Sequence, residues 1–523
     1  MVPLAPLFLL FSFCALPAAP AAVIRRQAQE RDPVQDQIDE FKKYYKPNRT
    51  THEKVEAIHV LDKLDRVSAA ELLLDACGDP QFPVREAALQ VLSLYGSDDV
   101  RTLLRKVAGD EAGNKSGRRG GAIQTLGTMK DVPAVVSIVK ALGGGDFELK
   151  RAAIVALGQI GDPAAVDPLI KLLGEAEPAL KTAVLDALGS LRKPESSIAA
   201  MLPLLEAPDW QVRTAAIAAL GKMRSREVVE PLIGALEREE GRLRDEALRA
   251  LQNTTALEYG DDAAEWKRWW ENAKAGWKVP SDAELAKRKE AIAKAREQYQ
   301  KKAATEFASV PTKSRRMLFV IDTSGSMEDL IADTKSFKLQ DRGYKSYMKM
   351  EIVKDELIRT IESLEPYVRF NILTFASAVK QWKPGLVAAN VVNKAAAVKL
   401  IQELKPIGGA SQGFNQRAGL SGSAGIAGGK TNTYAALMAG LGAAGKGIYD
   451  KNYGSEVDTI FFLSDGVPST GDYVEKDDIL AEVRRVNTLK KLVIHTISIG
   501  DMDHALMEQL ATQNGGAFVD LGK

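Results

Sequence analysis

Seven leucines recur along the first half of the chain at nearly constant spacing. Leu61, Leu92, Leu126, Leu157, Leu188, Leu220 and Leu251 are separated by 31, 34, 31, 31, 32 and 31 residues. The surroundings repeat with them: Leu149-Lys-Arg-Ala-Ala-Ile-Val-Ala-Leu157-Gly, Leu180-Lys-Thr-Ala-Val-Leu-Asp-Ala-Leu188-Gly and Val212-Arg-Thr-Ala-Ala-Ile-Ala-Ala-Leu220-Gly. A second apolar stretch follows each, as in Val166 to Leu173, Ile198 to Leu205 and Val228 to Leu236. Apolar residues fall at i, i+3, i+4 and i+7, so each unit reads as two short amphipathic helices. One such hairpin cannot bury its apolar face alone. Stacking neighbours can, and the product is a superhelical solenoid. Small alanines allow close helix approach, and Gly158, Gly189 and Gly221 are expected to end the first helix of their units.

The repeat spans residues 50–256 and resembles HEAT-type repeats. That likeness implies an all-α solenoid and names no ligand. Basic residues recur near the starts of the first helices: Arg85, Lys150 with Arg151, Lys181, Arg213 and Arg244. They read as a solvated helix edge, partly paired with Glu86, Glu148 and Asp245, ahead of a ladder for an acidic partner. Residues 257–310 form a tryptophan-rich cap and a charged helical linker. Trp266 and Trp270 share a helical face, beside Trp269 and Trp277. Burial against the last repeat is the expectation, because a solenoid end needs a cover. Asp282 to Lys302 is rich in Ala, Glu, Lys and Arg, and reads as a helical spacer.

The pattern changes at residues 315–523. Short apolar runs at Met317 to Ile321, Val368 to Phe375, Thr459 to Leu463, Leu492 to Ile499 and Phe518 to Leu521 alternate with helical stretches such as Glu351 to Leu364 and Ala395 to Leu404. This predicts a second domain of the α/β class, a doubly wound, mostly parallel, Rossmann-like sheet covered on both faces. Ligands of such sheets bind beyond the carboxyl ends of the strands. Three polar segments fall there: Asp322-Thr-Ser324-Gly-Ser326, Gly429-Lys-Thr431-Asn-Thr433 and Ser464-Asp465-Gly466.

In that order, these segments resemble the metal-ion-dependent adhesion site of von Willebrand factor A-type (VWA) domains. The resemblance places metal ligands on Asp322, Ser324, Ser326, Thr431 and Asp465. It implies that the hydroxyls touch the ion directly and that one or both aspartates act through water. Such hard oxygen donors suit one divalent cation, Mg²⁺ first, with Mn²⁺ or Ca²⁺ as alternatives. An acidic side chain of a protein partner can complete the ion's coordination. Ordinary helix capping is the competing use of these residue types. Two polar inserts, 333–350 and 408–429, interrupt the pattern near the site. Lys430-Thr431 lacks the strand–loop–helix setting of a phosphate loop.

Residues 1–22 resemble a secretory signal: Leu4 to Leu16 is almost continuously apolar and a Pro/Ala-rich stretch follows. An uncleaved anchor or a mis-assigned start is the alternative. Residues 23–49 form an N-terminal segment before the repeats. Export to the periplasm, cell envelope or exterior is expected, with no transmembrane span in the mature chain. Of two cysteines, Cys14 lies in the signal and Cys77 reads as a buried thiol. The formal net charge of +1 gives no reason to expect nucleic acid. Four histidines offer no catalytic arrangement: His52 and His59 lie in the first repeat, His495 reads as a core residue, and His504 could approach the metal face. The expected function is therefore a non-catalytic, adhesion-type binding scaffold. A non-catalytic adaptor subunit of an exported complex and a metal-dependent hydrolase are the alternatives.

Overall fold

The computed structural model describes residues 33–110, 113–288, 290, 305–307, 310–331, 343, 344, 346–408, 429–442, 455–500 and 504–521. The signal and Cys14 lie outside these residues, as do most of both inserts and the end of the charged linker.

The first half is a stack of helix pairs. First helices run over Phe82–Ser93, Ser116–Thr128, Phe147–Ile160, Pro178–Leu191, Trp210–Met223 and Gly241–Thr255. Second helices include Asp98–Gly109, Val166–Glu175, Pro194–Met201 and Val229–Arg238. All seven repeat leucines are 0% exposed. One continuous apolar core joins Ile38 at one end to Trp270 at the other, as stacked hairpins require. A helix over Pro33–Tyr44 supplies Ile38 and Phe41 to this core. The sequence offered no repeat signal there. At the other end Trp266 is 0% exposed and its indole N–H donates to Gly260 O at 2.8 Å. Trp269 packs edge to face on Trp266 and on Trp277, and Trp277 packs edge to face on Trp270. Cys77 is buried, and burial pushes its thiol up to about 12.

The repeat glycines have a different task from the one expected. Gly158, Gly189 and Gly221 do not end their helices, which continue two residues further. The ends carry left-handed residues instead: Gly161 at φ 79°, Arg192 at 50° and Arg224 at 46°. The three glycines are contact points between stacked units. A Cβ on Gly158 would lie 3.0 Å from Ala187 Cα, and one on Gly221 2.8 Å from Ala250 Cβ. The arginines of the basic ladder are spent inside the solenoid. Arg85 donates to the carbonyls of Asp79 and Pro80, Arg151 pairs with Glu148, Arg213 with Glu239, and Arg244 donates to Asp261 O.

The second half is an α/β domain. A hairpin of β1 (Thr305–Phe307) and β2 (Val310–Thr312) precedes it. The main strands are β3 (Arg316–Asp322), β4 (Arg369–Phe375), β5 (Val379–Gln381), β6 (Val387–Ala388), β7 (Thr459–Ser464), β8 (Val493–Ser498) and β9 (Phe518–Asp520). Their order is β5-β4-β3-β7-β8-β9, with β6 also on β4. The β4-β3-β7-β8-β9 pairings are parallel. Strands β5 and β6 add an antiparallel edge that the apolar runs did not announce. Helices Lys349–Ser363, Val391–Glu403, Thr433–Gly440, Lys476–Lys490 and His504–Gln513 cover the faces. Phe319, Phe461 and Phe370 are 0% exposed on one side, and Phe375 and Phe462 on the other.

The two halves touch at the amino ends of the strands and along the helix Lys476–Lys490, where Phe82 of the solenoid meets Tyr473, after β7, with ring centroids 6.0 Å apart and Arg485 lies over the Phe82 ring at 5.9 Å. Lys313–Arg316 and Asp458 precede or begin β3 and β7. Arg242 donates to Asp458 O at 2.7 Å, and Lys313 pairs with Asp245 at 2.9 Å. Arg315 pairs with Glu240 and Lys491 with Asp186. Trp210 and Leu243 of the solenoid belong to the sheet domain's own apolar cluster. The solenoid thus holds the amino ends of the strands and one covering helix of the sheet. No helix among the described residues is long and apolar enough to cross a membrane.

Candidate metal centre

Asp322 is the last residue of β3, in parallel register with Phe375 of β4 and one residue beyond the pairing of Ile321 with Leu463 of β7. It is 0% exposed. Its Oδ1 accepts the Ser324 N–H at 2.8 Å, and its Oδ2 accepts the hydroxyl of Ser464 at the end of β7. The chain then turns through a short 3₁₀ helix, Gly325–Glu328. That turn sets Ser324 Oγ 3.2 Å from Ser326 Oγ. The residue between the aspartate and the first serine has another role. The Thr323 hydroxyl donates to Phe375 O at 2.9 Å, pinning the loop to β4.

Asp465 follows β7 directly. Its Oδ1 accepts the Ser326 hydroxyl at 2.8 Å. Thr431 precedes the helix Thr433–Gly440, and Asn432 caps that helix by accepting the Ala435 N–H at 3.1 Å. The Thr431 N–H donates to Ser469 Oγ at 2.9 Å, and its carbonyl accepts Ser469 N–H at 3.0 Å. Gly466 lies between the two distant hydroxyls: a Cβ there would sit 3.0 Å from Thr431 Oγ1 and 3.5 Å from Ser326 Oγ. The five candidate ligands therefore converge at the carboxyl rim of the sheet. Asp322, Ser324, Thr431 and Asp465 are buried, and Ser326 is half-buried at the opening.

Two carboxylates at one buried rim repel each other. Burial, and next the charge of Asp465, raise the Asp322 carboxyl to about 7, against the pull of its hydrogen bonds from Ser464 and Ser324. A site of this kind favours positive charge. Its donors are oxygens, and neither sulfur nor imidazole contributes. That set fits a hard divalent ion rather than zinc or copper.

A profile described as von Willebrand factor type A domain matches residues 339–416 and 429–520, and one described as HEAT repeats matches 135–199 and 166–252. The chain joins HEAT repeats to a VWA domain. The VWA match begins at residue 339, so Asp322, Ser324 and Ser326 precede it and enter the rim through β3. Inter-alpha-trypsin inhibitor heavy chain H1 of Mesocricetus auratus is 25% identical over 39% of this chain and 18% of its own length. The human heavy chain H4 is 24% identical over 39% of this chain, again 18% of its length. The chain thus spans less than a fifth of these relatives. Among solved structures, a mutant of the PilB minor pilin from Streptococcus sanguinis is 15% identical, with a TM-score of 0.26, over 41% of this chain and 59% of the pilin chain.

Two residues at the VWA rim escaped the sequence reading. Ser464 was visible beside Asp465, but its hydroxyl bond to Asp322 was not. Lys349 lay inside the polar insert, and its ammonium donates to Asp465 Oδ2 at 2.8 Å. The one signal was its place immediately before the apolar positions Met350, Ile352 and Val353, where the helix resumes. His495 is half-buried on β8 rather than in the core: it stacks on Phe461 at 5.0 Å, and its Nδ1 accepts the Ala517 N–H at 3.0 Å. His504 pairs with Asp520 at 3.4 Å, beside β9.

Proposed function

We propose that this protein is an exported, non-catalytic scaffold that grips an acidic group of a partner protein through a divalent cation held by Asp322, Ser324, Ser326, Thr431 and Asp465. The observation that carries the reading is the meeting of two buried carboxylates and three hydroxyls from three distant segments at one strand-end rim. A hard cation there supplies an electrophilic position that a partner's carboxylate completes. Mg²⁺ is the ion proposed first, with Mn²⁺ and Ca²⁺ next. The solenoid braces the sheet at the amino ends of its strands and, through Phe82 packed on Tyr473, at the segment that follows Asp465. Export rests on the apolar stretch within residues 1–22 and their likeness to a secretory signal.

Capture of partners from a native envelope or secreted fraction tests the reading, with Mg²⁺ or with chelator. Cation-dependent capture by the wild type, lost in Asp322→Ala, is the expected result. Capture that ignores both chelator and the substitution would move the binding surface to the solenoid.

A further inference from the structure

We infer that Lys349 is a built-in counter-cation of the rim, which neutralises Asp465 and sets how strongly the site takes up a divalent ion. The inference rests on the cation reading above and adds a regulating residue to it.

The two oxygens of Asp465 are divided. Oδ1 accepts from Ser326, a candidate ligand, and Oδ2 accepts from Lys349. The Asp465 side chain is 0% exposed and that of Lys349 10%. In so dry a place the charges are weakly screened, and an ammonium fixed to one carboxylate oxygen acts on whatever the other side of the site holds.

The surrounding chain holds the lysine there. The excursion between Leu330 and Met348 is pinched shut by an antiparallel bridge between these two residues. Ile331 N–H donates to Tyr347 O and Lys349 N–H to Asp329 O, both at 3.0 Å. The returning chain therefore enters the helix Lys349–Ser363 with its first side chain at the rim. Gly500, beyond β8 at φ 96°, leaves the space for it. A Cβ on Gly500 would lie 2.7 Å from Lys349 Cε and 3.0 Å from Nζ. Any residue but glycine would be strained by that φ and would also displace the ammonium.

With both carboxylates ionised, as a cation's ligands must be, two carboxylates and one ammonium leave the ligand set one negative charge. Affinity for a hard divalent ion follows the charge of its ligand set. The lysine therefore weakens cation uptake. It also leaves the ion-free rim a partnered state, so the fold persists without an ion, and occupancy can follow cation supply.

Titration calorimetry of the full chain with MgCl₂ and with MnCl₂ tests this on wild type, Lys349→Met, Lys349→Arg and Asp322→Ala. Lys349→Met is expected to bind both ions tighter by roughly tenfold or more. Lys349→Arg keeps the charge and stays near the wild type. Melting in EDTA supplies a second readout: Lys349→Met melts below the wild type without cation and gains more on adding it. Should Lys349→Met fail to fold, Lys349→Gln takes its place. Equal or weaker binding by the neutral variants, with Asp322→Ala silent, overturns the role of Lys349 and leaves the site standing. Absence of binding in both wild type and Lys349→Met, or binding unchanged in Asp322→Ala, overturns the site and the inference with it.

Discussion

The indole N–H of Trp210 donates to the backbone carbonyl of Ser455 at 2.8 Å, tying the first turn of a solenoid helix to the segment that leads into β7. The ring is 7% exposed and lies under the guanidinium groups of Arg316, at 4.9 Å, and Arg242, at 5.6 Å. A solenoid side chain is thus built into the apolar core of the sheet domain.

Trp210→Ala should therefore uncouple them. Truncating a buried tryptophan costs about 3–5 kcal/mol, and here the loss falls on the junction. Hydrogen exchange should rise in 455–464 and in the start of helix 210–223, and a single melting transition should split into two. Unchanged exchange in both segments would refute the coupling.

The stacking glycines predict opposite effects from one kind of substitution. Gly221→Ala forces a methyl group to 2.8 Å from Ala250 Cβ. Overpacking of this kind costs about 1–3 kcal/mol. Gly174 lies in the helix Val166–Glu175 and has nothing within 4 Å of an added Cβ. Gly174→Ala should stabilise by about 0.4–1 kcal/mol, because it restricts the unfolded chain. Urea unfolding of the two variants reads the signs, and equal shifts would contradict the close-approach role.

His495 predicts an acid limb of stability. Burial, and next Arg242 and Arg249, lower its imidazole to about 4 in the folded chain, against about 6.5 unfolded. Between these values the unfolded chain binds the extra proton. The contribution of His495 is therefore intact above pH ~6.5 and is lost as pH falls toward ~4. At pH ~5 the loss amounts to about 2 kcal/mol. Urea unfolding at pH ~7.5 and ~5 should show a smaller difference in His495→Phe than in the wild type. An equal difference would assign the acid sensitivity elsewhere.

Three neighbouring hydroxyls separate ligand from scaffold. Ser326→Ala and Thr431→Ala should each weaken Mg²⁺ or Mn²⁺ binding by about tenfold or more. Thr323→Ala should leave binding near the wild type, because its hydroxyl is committed to Phe375 O, and should cost only about 1 kcal/mol of stability. Chelator should lower the melting temperature of the wild type and leave that of Thr431→Ala unchanged. A large loss of cation affinity in Thr323→Ala would remove the distinction.

Much of the architecture was legible because it is periodic. The aligned leucines are all buried, since any helix whose apolar stripe recurs every 31 or so residues must bury it against its neighbours. The five strand runs fell on β3, β4, β7, β8 and β9 because buried parallel strands are apolar on both faces. The antiparallel edge of β5 and β6 was not legible. Val379-Lys-Gln381 has one side chain half-buried and two exposed, so it carries no apolar run. The interior place of Gly158, Gly189 and Gly221 was misread as helix ends. A glycine looks the same in sequence whether it supplies a left-handed turn or room for a neighbour.

Sequence alone determined the periodic solenoid, the class of the second domain and the three oxygen-rich segments, because period and residue chemistry are local properties of a chain. Tertiary structure alone decided that Lys349 pairs with Asp465 across 116 residues, that Ser464 caps Asp322, and that Trp210 reaches Ser455. Contacts between distant residues depend on strand order and on how the domains dock, and neither leaves a local pattern to read.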